Sequence, residues 1–213
     1  MIKRVILDID NTLIPWEEEY FKEISKSLDE LNIEYTDKDY KKILEALDEY
    51  ENEYYTFDKK LMLDFINKYT NKEYPIEFMD NTINKWANCV PEKLEDGLID
   101  TLKYLKTKYQ LVILTDWYGD QQKARLKKIN ILNYFSSIYS AEKTKRKPFK
   151  EAFMQAIGDN KPEECVMIGD NLERDIKGAL NAGLNAVYYN PKHRKFDVEC
   201  IEISKIKDLR NIL

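Results

Sequence analysis

Along this 213-residue chain the hydrophobic period changes repeatedly. Short apolar runs rich in Ile and Val fall at residues 5–7, 111–114, 165–168 and 186–189, with a weaker one at Ile138 and Tyr139. Runs without polar alternation are what strands covered on both faces require. Between them the spacing becomes helical. Leu94, Leu98, Leu102 and Leu105 form one stripe, Leu126, Ile129 and Leu132 a second, and Phe149, Phe153 and Ile157 a third. A further helix is predicted over 172–181, with Gly183 as a left-handed cap. Strand and helix alternate, so the chain is expected to be α/β, with a parallel sheet between helical layers.

Residues 15–90 interrupt the rhythm. They read as four amphipathic helices, over 16–32, 37–55, 58–70 and 75–88, with Asp37 and Asp58 as N-caps and Pro75 near a first turn. Their stripes, such as Tyr40, Ile43, Leu44 and Leu47, or Leu61, Met62, Phe65, Ile66 and Tyr69, are mostly core. The expected division is a catalytic core of residues 1–14 and 91–213 and an inserted all-α domain of 15–90. Following the first strand directly, the insertion would sit over the carboxyl end of the sheet, where open parallel sheets bind ligands.

Composition removes several function classes. With 34 Lys+Arg against 39 Asp+Glu, a net charge of -5, the chain lacks the basic surplus that neutralises a nucleic-acid backbone. Cys89, Cys165 and Cys200 are widely spaced and suggest neither a disulfide scaffold nor a zinc site. The single histidine, His193, lies in a polar stretch and is expected on a surface loop, which argues against His pairs or Ser-His-Asp chemistry. Nothing approaches the roughly 20 apolar residues of a membrane span, and the apolar run at the start is too short for a signal peptide, so a cytoplasmic location is expected. Carboxylates, lysines and hydroxyls are left to carry any chemistry.

The first strand runs into Asp8-Ile9-Asp10-Asn11-Thr12. Two carboxylates this close oppose joint ionisation unless a cation or a shared proton intervenes, so the pair suits a divalent metal and a division of roles. Taken alone, it is also compatible with a simple Asx turn. The run 111–114 leads into Thr115-Asp116, and 165–168 leads into Gly169-Asp170-Asn171, with Asp175 in the first turn of the next helix. Between these strands Lys147-Pro148 precedes a helix, and proline at its first position would fix where the lysine stands. Each element has an ordinary alternative as a cap or a surface charge. Their joint occurrence in this order does not.

In these residues the chain closely resembles the haloacid dehalogenase-like superfamily of phosphohydrolases. Asp8-Ile9-Asp10-Asn11-Thr12-Leu13 looks like its first motif, Thr115 its second, Lys147-Pro148 its third, and Gly169-Asp170 with Asp175 its fourth. Gln122, Lys123, Tyr134-Phe135, Ser140, Gly178-Ala179 and Ala182-Gly183 are similar to the branch with a helical cap between the first two motifs. The resemblance implies a Rossmann-like parallel sheet core with an inserted all-α helical-bundle cap. It implies a Mg2+-dependent phosphatase acting on a small phosphorylated metabolite. Asp8 would be the nucleophile that forms an aspartyl-phosphate, and Asp10 the general acid and base. Mg2+ would be held by Asp8, Asp170 and the backbone carbonyl of Asp10. Thr115 and Lys147 would serve catalysis and, with Asp116, bind the phosphoryl group, while Asp175 supports Lys147 or metal-bound water.

Other chemistries of the superfamily fit less well. A dehalogenase would lack the second acid, a sugar-phosphate mutase commonly has a His soon after the first motif, and a pump needs membrane spans. A phosphate-sensing protein that retains the site is the alternative outside enzymology. Asp116 departs from the family's usual Asn. Residues 143–146 are Lys-Thr-Lys-Arg where a Gly is usual at 144, which makes Lys145 a rival for the Lys147 role. Trp117 and Tyr118 are expected either at a substrate entrance or packed beneath the cap. The substrate and the oligomeric state are not legible in the sequence.

Overall fold

The computed structural model describes residues 1–15, 19–142 and 144–213. The elements in chain order are β1 (Arg4–Leu7), α1 (Glu19–Glu30), α2 (Asp37–Glu53), α3 (Lys59–Thr70), α4 (Ile76–Trp86), α5 (Leu98–Lys108), β2 (Gln110–Thr115), α6 (Gly119–Lys128), β3 (Ser137–Ser140), α7 (Lys150–Ile157) and β4 (Cys165–Gly169). A π-wound segment (Leu172–Lys177) continues as α8 (Gly178–Asn181), followed by β5 (Asn185–Tyr189), β6 (Ile201–Ile203) and α9 (Leu209–Ile212).

The sheet is six-stranded and parallel, in the order β3-β2-β1-β4-β5-β6. Each strand feeds its two faces alternately. Val5, Leu7, Leu111, Ile113, Val166 and Ile168 pack with Leu98, Leu102 and Leu105 of α5 on one side. Ile6, Val112, Leu114 and Met167 pack with Phe153, Ala156 and Ile157 of α7 on the other. This is the two-faced burial that continuous apolar runs demand. The Rossmann-like α/β expectation holds. Successive strands step away from β1 in opposite directions, so the crevice of this sheet opens at the carboxyl ends of β1, β2 and β4.

Helices α1 to α4 fall between β1 and α5 and build a third core from Ile24, Leu28, Ile43, Tyr50, Ile66, Phe78 and Trp86. Trp117, Tyr118 and Ala141, from the loops above β2 and β3, close it. Phe57 meets Trp117 edge-on at 4.5 Å between ring centroids and Tyr118 at 6.0 Å, so Trp117 and Tyr118 both pack beneath the helices. Trp117 also borders the cavity described below.

Several local expectations are corrected. The cap of α2 is Thr36, whose Oγ1 accepts from Asp39 N–H while Asp39 reaches back to Thr36 N–H; Asp37 is the first helical residue. Asp58 caps α3 as expected, its Oδ1 accepting from Leu61 N–H at 2.8 Å. Pro75 stands just before α4, which ends at Trp86. Pro148 is not the first residue of α7. Phe149 occupies the cap and the helix opens at Lys150, after a cis Lys147-Pro148 peptide. Leu94 packs against the core from the loop before α5. The edge strand β6 was not anticipated, because its three residues carry Glu202 at the centre and offer no apolar run. His193 is exposed on a loop, as expected. The start predicted for the first helix, Trp16 to Glu18, and Lys143 lie outside the described residues. No helix among those described is long and apolar enough to cross a membrane.

Candidate active site

The chain leaves β1 at Asp8 and folds into a tight turn. Leu13 and Ile14 N–H groups both donate to the Ile9 carbonyl, and Asn11 adopts the left-handed region at φ 59°. Asn tolerates that region better than most side chains. The turn presents Asp8 and Asp10 to the crevice between the sheet and α2. β4 delivers Asp170 beside them, and Asn171 caps the following turn by accepting from Glu173 and Arg174 N–H.

Lys147 ties the two strand ends together. Its Nζ donates to Asp8 Oδ1 at 2.7 Å, to Asp175 Oδ1 at 2.6 Å and to the Leu114 carbonyl at 3.2 Å. The side chain is 2% exposed. Burial by itself would discharge the ammonium, but Asp175, Asp8 and Asp116 outweigh it and hold it above the usual lysine range. What places the lysine is therefore this acid cluster, together with Asp116 Oδ1 accepting the Lys147 main-chain N–H at 2.8 Å. The rival, Lys145, is turned outward against Glu151 at 2.9 Å.

Oxygens of Asp8, Asp170 and Asp175 lie within 4.8 Å of one another. Burial pushes the Asp8 carboxyl up, with Lys147 opposing and Asp175 and Asp10 adding to the rise. Burial and then Asp175 push Asp170 up to about 6. Acids that resist joint ionisation while offering hard oxygen donors fit a divalent cation such as Mg2+. Asp175 has both oxygens engaged, one by Lys147 and one by Asn171 N–H at 3.0 Å, which leaves Asp8 and Asp170 as the better-placed donors. The Asp10 carboxylate is outside this cluster and faces α6, where Arg125 and Gln122 bond it.

Thr115 is buried at the end of β2, its Oγ1 accepting from Trp117 N–H and Gln122 Nε2, each at 3.2 Å. Above these groups lies a cavity of about 550 Å3. Asp8, Asp10, Thr115, Lys147 and Asp170 form its floor, and Leu44, Leu47, Asp48 and Glu51 contribute one face of α2. Glu51 and Arg174, which both line the cavity, escaped sequence reasoning. Glu51 Oε2 is 3.0 Å from Arg174 Nη1 and 3.4 Å from Arg146 Nη1, joining α2 to the sheet side. Arg174 in turn lies 3.8 Å from Asp116. Their signal was weak, because an isolated Glu or Arg on a helix reads as a solvated face.

Comparison with known proteins gives these positions a context. The profile of haloacid dehalogenase-like hydrolases matches residues 5–189. The chain belongs to that family. The HAD-hydrolase YfnB of Bacillus subtilis is 34% identical over 128 residues, 57% of this chain and 54% of its own length. The pyrimidine 5'-nucleotidase PynA of Streptococcus pneumoniae is 34% identical over 100 residues, 45% of this chain and 41% of its own. The matched stretches thus span about half or less of these relatives. In overall fold, the crystal structure of YfnB bound to magnesium superposes with a TM-score of 0.78 at 22% identity, covering 99% of this chain and 98% of that one. A HAD phosphatase of Thermococcus onnurineus superposes at 0.71 with 25% identity, covering 99% and 97%.

Proposed function

We propose that this family member is a Mg2+-dependent phosphatase that hydrolyses a small phosphate monoester through an aspartyl-phosphate on Asp8. The observation that supports the reading is the convergence of Asp8, Asp170 and Asp175, two of them held by Lys147, with Asp10 and Thr115 lining the same cavity. Phosphoryl transfer asks for an in-line nucleophile, neutralised phosphoryl oxygens and a proton for the leaving group. Asp8 supplies the nucleophile, one oxygen oriented by Lys147. Asp8, Asp170 and the Asp10 carbonyl would hold Mg2+, which supplies charge neutralisation for the phosphoryl oxygens and the attacking carboxylate. Lys147 stays protonated and balances the remaining charge. Thr115 Oγ1 accepts two N–H groups, so its own hydrogen is available to a phosphoryl oxygen. Asp10 protonates the departing oxygen and then takes a proton from the water that cleaves the acyl phosphate. A dehalogenase has no leaving alcohol to protonate, and the second acid argues against that chemistry.

In the same reading residues 15–90 form the cap that selects the leaving group, over a core of residues 1–14 and 91–213. Phe21, Leu44, Leu47, Phe57 and Met62 line that side of the cavity, with Asp48 and Glu51 among them. An apolar wall carrying carboxylates favours a leaving group that is partly apolar and bears no second anion. Lys147, Arg174 and Arg194 are the cations that line the same cavity. Turnover of an aryl phosphate with Mg2+ tests the reading: Asp8→Asn should abolish it without loss of helical circular dichroism, and undiminished turnover would reject it.

A further inference from the structure

The proposed general acid is held from a helix that contributes none of the catalytic motifs. Both oxygens of Asp10 are engaged by α6. Oδ1 accepts from Arg125 Nη1 and Oδ2 from Gln122 Nε2, each at 2.5 Å. Arg125 has 0% side-chain exposure, and among the described residues Asp10 is the acid with which it pairs. Its Nη1 also donates to Gln122 Oε1 at 2.8 Å, which keeps the amide turned toward Asp10. Its Nε donates to the Cys89 carbonyl at 2.9 Å, in the stretch that returns from α4, and its guanidinium lies 4.9 Å from the centre of the Tyr20 ring in α1. The other amino group, Nη2, is buried and has no hydrogen-bond partner among the described residues.

A buried arginine kept only for stability would be expected to use its fork on both oxygens of a carboxylate. This one reaches Asp10 with a single amino group, leaves the second without a partner among the described residues, and gives the other carboxylate oxygen to Gln122. Such an arrangement trades hydrogen bonding for a defined orientation of the acid.

We propose that Arg125 is a positioning residue for Asp10. With Gln122 it fixes the direction in which the carboxyl faces, and through Cys89 and Tyr20 it registers that direction against the helical insertion. The inference rests on the phosphatase reading above. As the Asp8 oxygen bonds to phosphorus, the ester P–O bond breaks and its electron pair leaves with the substrate oxygen. The proton on Asp10 passes to that oxygen. Arg125 keeps its own protons throughout.

Loss of orientation should therefore be felt where leaving-group protonation matters. The full chain with Mg2+ would be assayed on an aryl phosphate, whose phenolate departs readily, and on the best alkyl phosphate found in a metabolite panel. Arg125→Gln should lower kcat on the alkyl ester by about a hundredfold or more and on the aryl ester by less than about tenfold, with KM little changed. Arg125→Lys, which keeps a cation, should recover part of the alkyl rate. Should Arg125→Gln fail to fold, Arg125→Lys and Gln122→Leu carry the comparison, with the same selective loss at smaller size. Equal losses on both esters, or wild-type rates, would overturn the inference. If the wild-type protein folds but cleaves neither ester, the phosphatase reading itself fails, a result distinct from an active enzyme with uniformly affected variants.

Discussion

The Asp175 carboxylate occupies the space that a side chain on residue 169 would need: a Cβ built on Gly169 comes 2.2 Å from Asp175 Oδ2 and 2.3 Å from its Cγ. A glycine at the end of β4 thus lets Asp175 reach Asn171 N–H with one oxygen and Lys147 with the other. Gly169→Ala should displace Asp175, and Lys147 with it. The expected result is a loss of about 1–3 kcal/mol in urea unfolding and of most turnover. An alanine variant with unchanged midpoint and rate would show that the carboxylate is not confined there.

Removing the lysine should be more severe. Lys147→Met leaves Asp8 and Asp175 buried without their shared cation, and breaking a buried pair in this way costs roughly 3–5 kcal/mol. The cost should be smaller at pH 5.5 than at pH 7.5, because burial already pushes the Asp8 carboxyl up and a proton taken up there relieves the repulsion. Denaturant melts at the two pH values measure this. A pH-independent difference from wild type would mean that the acids do not depend on Lys147.

Metal binding and proton binding should compete at Asp170. Its folded-state value is raised to about 6, from roughly 4 in an unfolded chain, chiefly by burial. An acid so raised takes up its proton in the folded state first, so the metal-free protein gains stability from this group as pH falls from about 6 toward 4. Over the same window a protonated Asp170 is lost as a ligand. The rise in Tm on adding Mg2+ should therefore be large at pH 7.5 and small at pH 5. Equal rises at both would remove Asp170 from the metal site.

The contact from Glu51 to Arg174 and Arg146 should matter for substrate more than for stability. The groups are part-exposed, so Glu51→Gln should change unfolding by less than about 1 kcal/mol. If α2 covers the cavity as proposed, KM should rise while kcat falls less. A stability loss with unaltered KM would make the pair a structural tie only.

Asp8 and Asp170 were legible because each follows an apolar run, and parallel strands bring their carboxyl ends into one crevice whatever the distance along the chain. Lys147 was legible only as part of the ordered set; Pro148 lies outside the helix and does not place it, whereas Asp116 and the acid cluster do. Arg125 was invisible because α6 carries several basic residues, and nothing local distinguishes the one that turns inward. β6 escaped because an edge strand needs no two-sided apolar run. Pattern reports which face of an element is buried, whereas a long polar side chain finds its partner only in three dimensions.

Capture of the phosphorylated enzyme decides whether Asp8 is the nucleophile. Enzyme mixed with Mg2+ and a rapidly cleaved aryl phosphate, quenched in acid within the first turnover and digested, should carry one phosphoryl group on the peptide containing Asp8. Asp8→Asn should carry none. A wild-type enzyme that turns over steadily while no phosphoryl group appears on Asp8, or carries it on another residue, would contradict the account.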